Sequence, residues 1–515
     1  MPPPPAPRLP ARLHPRLAVI VQRPDLVDGL VDRWGSPLHL VVPFVMRENI
    51  RAFQAALLEA RVEGRIFYAH KANASAALAR AAAVGGIGID VASLGELSSA
   101  LLAQCAPDRI EVTGPKGLAL VNRAVAAGLT VNVDNFWELD EVVRAASVER
   151  LAGRPPVPVL VRLTGFTGVS RAGATHHSRF GIPVARAGDL LAALLRARDV
   201  VTFLGPSFHL DTDQVQAKAA AAQQCLAVIE QAWQAGLAPT VLNVGGGFRQ
   251  AFVDDTAGFD AYVETLKLGL LRRHQSLTWN EATLGYRVDG DRVHGIGEFQ
   301  KYAGTVTGPQ SLLELLRAPL PEHDELPLAR VLGDAMIELW IEPGKALVDH
   351  AGLTVATVQF VTSTVDGSPL VTLDLSRDKV CPADQEVMLD PIVLPGRSSS
   401  EMPDPAGPAG PVGVFFAGAL CLERDLVLRH RVYLDRLPEP GDHVVFVNTA
   451  AYQMDLSASD ALMHPRPRRL VVDVDPGPTL RARPDAAGVE LSRDSGSDRT
   501  AHRRGEELTW PLSTR

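Results

Sequence analysis

Short apolar runs rich in β-branched residues alternate with longer Ala/Leu-rich stretches along the first two-thirds of the chain. The runs are Ile66–Ala69, Ile87–Val91, Ile110–Thr113, Thr130–Val133, Val157–Leu163, Val201–Phe208, Val241–Val244 and Ile337–Ile341. Stretches between them, such as Ala76–Val84, Leu94–Gln104, Leu118–Ala127 and Gln216–Ala235, carry the period of an amphipathic helix. Eight strand candidates in βα alternation predict an α/β fold, a (β/α)8 barrel of the TIM type. A doubly wound sheet competes, but its dinucleotide fingerprint is missing. In Gly86-Ile87-Gly88-Ile89-Asp90-Val91 a valine stands where the third glycine belongs.

From about Gly352 the pattern changes. The runs Leu353–Val361, Pro369–Leu375, Val412–Phe416, Leu426–Leu434 and His443–Val447 are separated by Gly/Pro turns, which predicts an all-β C-terminal domain. The expected organisation is a disordered Pro-rich arm (1–17), then a segment packing with the β domain (18–42). A barrel (43–345), the β domain (346–475) and a disordered tail (476–515) follow. Arg397 to Pro411 reads as a flexible loop.

A chain of 515 residues has room for more than one domain. Its 46% hydrophobic and 21% charged residues are those of an ordinary globular protein. The net charge of −8 gives no reason to expect nucleic acid or an anionic membrane as partner. Cys105, Cys225, Cys381 and Cys421 lack metal-ligand spacing, so neither zinc nor a disulfide framework is expected, and a reducing, cytoplasmic setting is. No apolar run approaches the ~20 residues of a membrane span. The arginines near the start lead into no apolar core, so no signal peptide is expected.

In a barrel of this kind chemistry gathers at the C-terminal ends of the strands. The first strand candidate delivers a single lysine, Lys71, with no carboxylate close in sequence. Beside an apolar wall such an amine sheds its proton readily and can form a Schiff base. The second ends at Asp90 with Ser93, and the fifth carries Arg162. The sixth ends at His209 and Thr212, the seventh at Gly245, Gly246 and Gly247, the eighth at Glu342 and Lys345. Singly these read as a strand-capping lysine, a plain turn, a solvent-facing carboxylate, a packing histidine and a structural arginine. Jointly they read differently. A lone amine, a backbone nest for phosphate, an acid for a ring nitrogen and a flat histidine describe a pyridoxal 5'-phosphate site.

The motifs at these positions carry a family resemblance from about Gly35 to Val472. FYAHKANAS, GIGIDVASLGEL, SRFGI, SFHLDT, NVGGGF, IEPGK, GALCLERD and NTAAYQMD occur in order. The chain resembles the fold-type III pyridoxal phosphate-dependent decarboxylases, the diaminopimelate, ornithine and arginine decarboxylase group built on an alanine racemase-like barrel. The resemblance implies that Lys71 holds the cofactor as a Schiff base, His209 stacks on its ring and Glu342 keeps the ring nitrogen protonated. It implies that Gly245, Gly246, Gly247, Thr212 and Tyr452 hold the phosphate, with Asp90 and Arg162 around the ring and the lysine. It further implies a homodimer with shared sites, in which Cys421 of one subunit protonates Cα in the other after carbon dioxide leaves.

Four departures bear on the substrate, one of them Asp211 where the HxGS motif has its glycine. The family often has an acid directly after the cysteine, where this chain has Leu422; Glu423 follows one position later. The arginine of the EPGR motif is Lys345, which keeps charge but loses the bidentate fork. The chain between the glycine loop and Glu342 is longer than is usual, pointing to an insert around Trp279–Thr307 near the barrel mouth. The implied activity is decarboxylation of an α-amino acid, with Glu423 and Lys345 as candidate substrate contacts. A racemase on the same barrel and a non-catalytic cofactor-binding protein are the alternatives.

Overall fold

The computed structural model describes residues 8–169, 178–212, 214–297, 299, 302–397, 411–473, 479–485 and 508–511. Eight parallel strands form the ring of its first sheet, Gly64–Ala69, Gly88–Val91, Ile110–Val112, Thr130–Val133, Val157–Thr164, Val201–Ser207, Val241–Asn243 and Glu338–Ile341, with a ninth, Ile182–Pro183, beside Val157–Thr164. Each pairs with the next, Glu338–Ile341 pairs back onto Gly64–Ala69, and the ring is closed. These are the eight runs expected, shifted by a residue or so at their ends. The strands are buried on both faces, every residue of Gly88–Val91 included, which is why they read as unbroken apolar runs.

Helices fill the connections, and their starts lie on the side where the strands end. Side chains of Ser75, Ser93 and Asn135 accept from the N–H groups of Leu78, Glu96 and Glu138, satisfying donors that a helix start leaves free. The turns leaving the strands are thereby fixed.

The second sheet is mixed. Gly352–Ser363 is its spine, pairing with His443–Val447 through one part of its length and with Pro369–Leu373 beyond a bulge near Phe360. Its other edge takes Leu38–Val41, which runs parallel to Arg468–Asp473 on the far side. The 18–42 segment is helical through Trp34 and enters this sheet only by its last strand, Leu38–Val41. Val371, Phe416, Val444 and Phe446 help form a separate small core on this sheet.

Several expectations need correction. Residues 8–17 of the arm are placed: Leu9 and Leu17 are buried, and Pro10 bridges Asp390. Proline-rich composition hid apolar side chains, Leu9 and Leu17, that have a place to go. Residues past 475 include two strands, Thr479–Pro484 and Leu508–Pro511, which extend the sheet beyond Arg468–Asp473. They alternate polar and apolar along a one-sided edge, and so look unlike core strands. The run Leu426–Leu434 is strand only at Val432–Leu434. Upstream, Arg431 N–H donates to Leu277 and the Arg429 carbonyl accepts from Trp279, so this backbone pairs with the insert instead. Ile392–Leu394 forms a short strand that the pattern did not announce. Of the loop Arg397 to Pro411, residues 398–410 lie outside the described residues. The insert holds a hairpin, Arg287–Asp289 with Arg292–His294, and packs Trp279 edge-on against Phe415.

Candidate active site

The C-terminal ends of the barrel strands and the β-domain segment around Tyr452 enclose a cleft of about 310 Å³. Lys71, His209, Gly246, Gly247, Glu342, Lys345 and Tyr452 all line it. Lys71 sits in a 3-10 turn, His70–Ala72, directly after the first strand. The turn is pinned to the β domain: Tyr452 N–H donates to Ala72, and Asn73 Nδ2 to Ala450, each at 2.8 Å.

Lys71 Nζ lies 3.5 Å from Asp90 Oδ2. Burial works against its charge, but Asp90, with Tyr452, Glu342 and Glu96, outweighs burial and holds the amine above the ordinary lysine range. The expectation of an easily discharged amine is corrected on this point. The carboxylate that holds it charged is remote in sequence and adjacent in the barrel. Burial pushes the Asp90 carboxyl up against the pull of Lys71, and its second oxygen, Oδ1, is buried with no hydrogen-bond partner among the described residues.

Below them lies a group that the motifs did not single out. Glu111, on the third strand, is wholly buried beside Glu342. Asn243 Nδ2 touches both carboxyls, at 2.7 Å from Glu342 Oε1 and 3.1 Å from Glu111 Oε1, while Asn132 Nδ2 donates to Glu111 at 2.7 Å. Burial, reinforced by Glu342 and Asp90, raises the Glu111 carboxyl well above the carboxylate range, favouring its neutral form. A glutamate inside the apolar strand IEV was the one signal that could have found it.

His209 is half-buried, and its protonation is opposed first by desolvation and then by Lys71, Arg162 and Lys218, which hold its pKa well below the ordinary histidine value. Its Nδ1 accepts from Gly246 N–H at 3.1 Å, which leaves the proton on Nε2 and fixes the ring. Gly245 N–H donates to Asn243 Oδ1 at 2.8 Å. Two of the three amides expected to form a phosphate nest are thus already engaged, and Gly247 carries the remaining one. Side chains have no room here: a Cβ on Gly246 would lie 2.6 Å from the Glu342 carbonyl oxygen, one on Gly247 2.3 Å from that of Leu210.

Lys345 pairs with Asp211 at 3.3 Å. Thr212 turns its hydroxyl to the Gln214 N–H at 3.1 Å and does not line the cleft. Arg162 lies over the Phe180 ring, 4.7 Å from its centre, and does not line the cleft. Cys421 and Glu423 are exposed on a turn held by buried Asp425, which accepts from the N–H groups of Leu420 and Arg377. Neither lines this chain's own cleft. The insert reaches the rim through Tyr302, whose hydroxyl donates to the carbonyl of Gln385, a lining residue.

Pyridoxal phosphate fits this donor set. There is an amine at the end of the first strand, a buried carboxylate oxygen with no donor among the described residues, a glycine loop that no side chain can enter, and Lys345 and Lys218 beside that loop.

The family model described as "Pyridoxal-dependent decarboxylase, pyridoxal binding domain" matches residues 46–277. An uncharacterised protein of Sinorhizobium fredii, y4yA, is 30% identical over 460 residues, covering 88% of this chain and 92% of that one. The chain belongs to the fold-type III pyridoxal phosphate-dependent decarboxylase family. Another relative in the family, the diaminopimelate decarboxylase of Halalkalibacterium halodurans, is 25% identical over 65% of each chain. The fold agrees with diaminopimelate decarboxylase from M. jannaschii in co-complex with L-lysine, at TM-score 0.62 and 19% identity over 87% and 89% of the two chains. It agrees also with lysine/ornithine decarboxylase of Vibrio vulnificus complexed with putrescine, at TM-score 0.60 and 20% identity over 90% and 100%. Among the described residues no helix is long and apolar enough to cross a membrane.

Proposed function

We propose that this protein is a pyridoxal phosphate-dependent decarboxylase of an α-amino acid, with Lys71 as the amine that carries the cofactor. The observation that supports it most is Glu342, buried at the end of the eighth strand in the same cleft as Lys71. When bound, the cofactor supplies an electron sink for the pair released as carbon dioxide departs. Glu342 would hold a proton on the ring nitrogen, with Glu111 kept neutral so that one negative charge faces the ring. His209, fixed by Gly246, offers a flat surface to stack on. Gly247, Lys345 and Tyr452 are the groups for the phosphate, and Asp90 orients Lys71. A racemase is better served by an arginine at the ring nitrogen, so Glu342 favours decarboxylation.

Cys421 lies outside this chain's own cleft, which supports a homodimer whose second subunit brings the cysteine to Cα as proton donor. Such a dimer is isologous and builds two equivalent sites. Mixing inactive Lys71→Ala and Cys421→Ala subunits should then restore roughly a quarter of wild-type activity. No recovery despite subunit exchange would put the donor within one chain. Leu422 and the insert argue against ornithine or meso-diaminopimelate as the simple substrate. The deciding experiment measures carbon dioxide release from these two, lysine, arginine and carboxynorspermidine-like compounds. Racemisation without carbon dioxide would sink the proposal, as would bound cofactor with no turnover of any amino acid.

A further inference from the structure

We infer that Lys218 is a phosphate-positioning residue of the cofactor site, aiming the glycine loop from behind. This rests on the reading that the cleft takes pyridoxal phosphate. Lys218 lies on the helix Val215–Gln234, in an alanine-rich run, and is buried. Burying a lysine there is costly unless the amine has work to do. Its Nζ donates to the Gly246 carbonyl and lies 4.6 Å from the centre of the Phe248 ring.

Peptide geometry turns that contact into a direction. The Gly246 carbonyl and the Gly247 N–H belong to one planar trans unit and point opposite ways. Holding the carbonyl back toward the helix therefore sends the Gly247 N–H toward the cleft that Gly247 lines. The loop's other two amides are committed, Gly245 to Asn243 and Gly246 to His209. The contact with Lys218 thus governs the loop's remaining donor.

The amine also adds charge. The charged groups acting on it are Asp211 and Lys345, and His209 lies close enough to be affected by it in turn. Burial lowers Lys218 to about 7, with Asp211 opposing and Lys345 assisting. A phosphate dianion at the loop would draw it back to the charged form. Binding the phosphate ester should then take up a proton that binding the phosphate-free aldehyde does not.

The test uses the full-length protein and compares pyridoxal phosphate with pyridoxal. Equilibrium dialysis should show that Lys218→Met lowers the preference for the phosphate ester by about tenfold or more. Pyridoxal binding should stay unchanged, and Lys218→Arg should recover most of the preference. Calorimetry of the wild-type protein in buffers of different ionisation enthalpy needs no variant. Near pH 8 it should find more protons taken up with pyridoxal phosphate than with pyridoxal. An unchanged preference in Lys218→Met, an equal loss for both compounds, or no difference in wild-type proton uptake would each overturn the assignment. Failure of the wild-type protein to bind either compound would instead refute the cofactor reading beneath it.

Discussion

Two lysine–carboxylate pairs sit at the ends of barrel strands, and they are built to opposite rules. Lys116 and Glu138 meet at 2.7 Å with neither side chain exposed. Lys116 Nζ also donates to Gly114 and Asn132 carbonyls at 2.6 and 2.7 Å, and Glu138 also accepts from the Lys116 and Asp134 N–H groups. Every strong valence is spent inside the protein. Lys71 and Asp90 are farther apart, at 3.5 Å; the lysine side chain is 38% accessible and one Asp90 oxygen lacks a partner among the described residues. The same residue types thus make a saturated structural clamp in one place and, in the other, an incomplete pair open to a cleft, which is what the proposed role of Lys71 requires.

The sharpest way to break this comparison is to remove one lysine from each pair. Lys71→Ala should abolish decarboxylation, by about 10⁴-fold or more, while the melting temperature stays near that of the wild type. Comparable activity in that variant would end the distinction. Glu342→Gln should rank second, lowering kcat by about 10²-fold or more through loss of charge at the ring nitrogen. A change confined to KM would show that this carboxylate merely binds. Lys116→Met should leave an uncompensated buried carboxylate and cost about 3–5 kcal/mol in denaturant unfolding. Its folded fraction should keep wild-type kcat.

The gentlest test concerns Glu111, the neutral acid beneath Glu342. Its carboxyl is raised in the folded protein, so the unfolded chain releases that proton first as pH rises. Stability associated with Glu111 is therefore present at low pH and is lost once pH passes the unfolded value of about 4.3. Glu111→Gln removes that loss. Its stability relative to wild type should climb between pH 5 and 8, by at most about 1.4 kcal/mol per pH unit. A flat difference across that range would mean that Glu111 is ionised in the fold.

The barrel was legible because parallel strands buried on both faces leave no ambiguity of period, and Lys71, His209 and Glu342 were legible because each follows such a run. Partners were not. Asp90 lies on the neighbouring strand from Lys71 and Glu111 across the barrel from Glu342, and sequence does not announce which side chains a closed sheet brings together. Lys218 hides among alanines, where one lysine reads as a solvated helix face. The ordered stretches around Leu9 and Thr479–Pro484 were missed for a related reason: isolated apolar positions take their meaning from the surface that receives them.

The strand Leu38–Val41 carries a consequence for synthesis. All four of its residues are buried, and both its partners, Gly352–Ser363 and Arg468–Asp473, lie far downstream. On the ribosome the barrel can close while this strand still waits with two open edges, an invitation to pairing with other chains. Tyr452, the last wall of the cleft, arrives in that same late portion. A message cut short before Arg468 would therefore yield a chain with its barrel complete and an apolar strand still seeking a neighbour. Such a product should aggregate rather than persist as a barrel on its own.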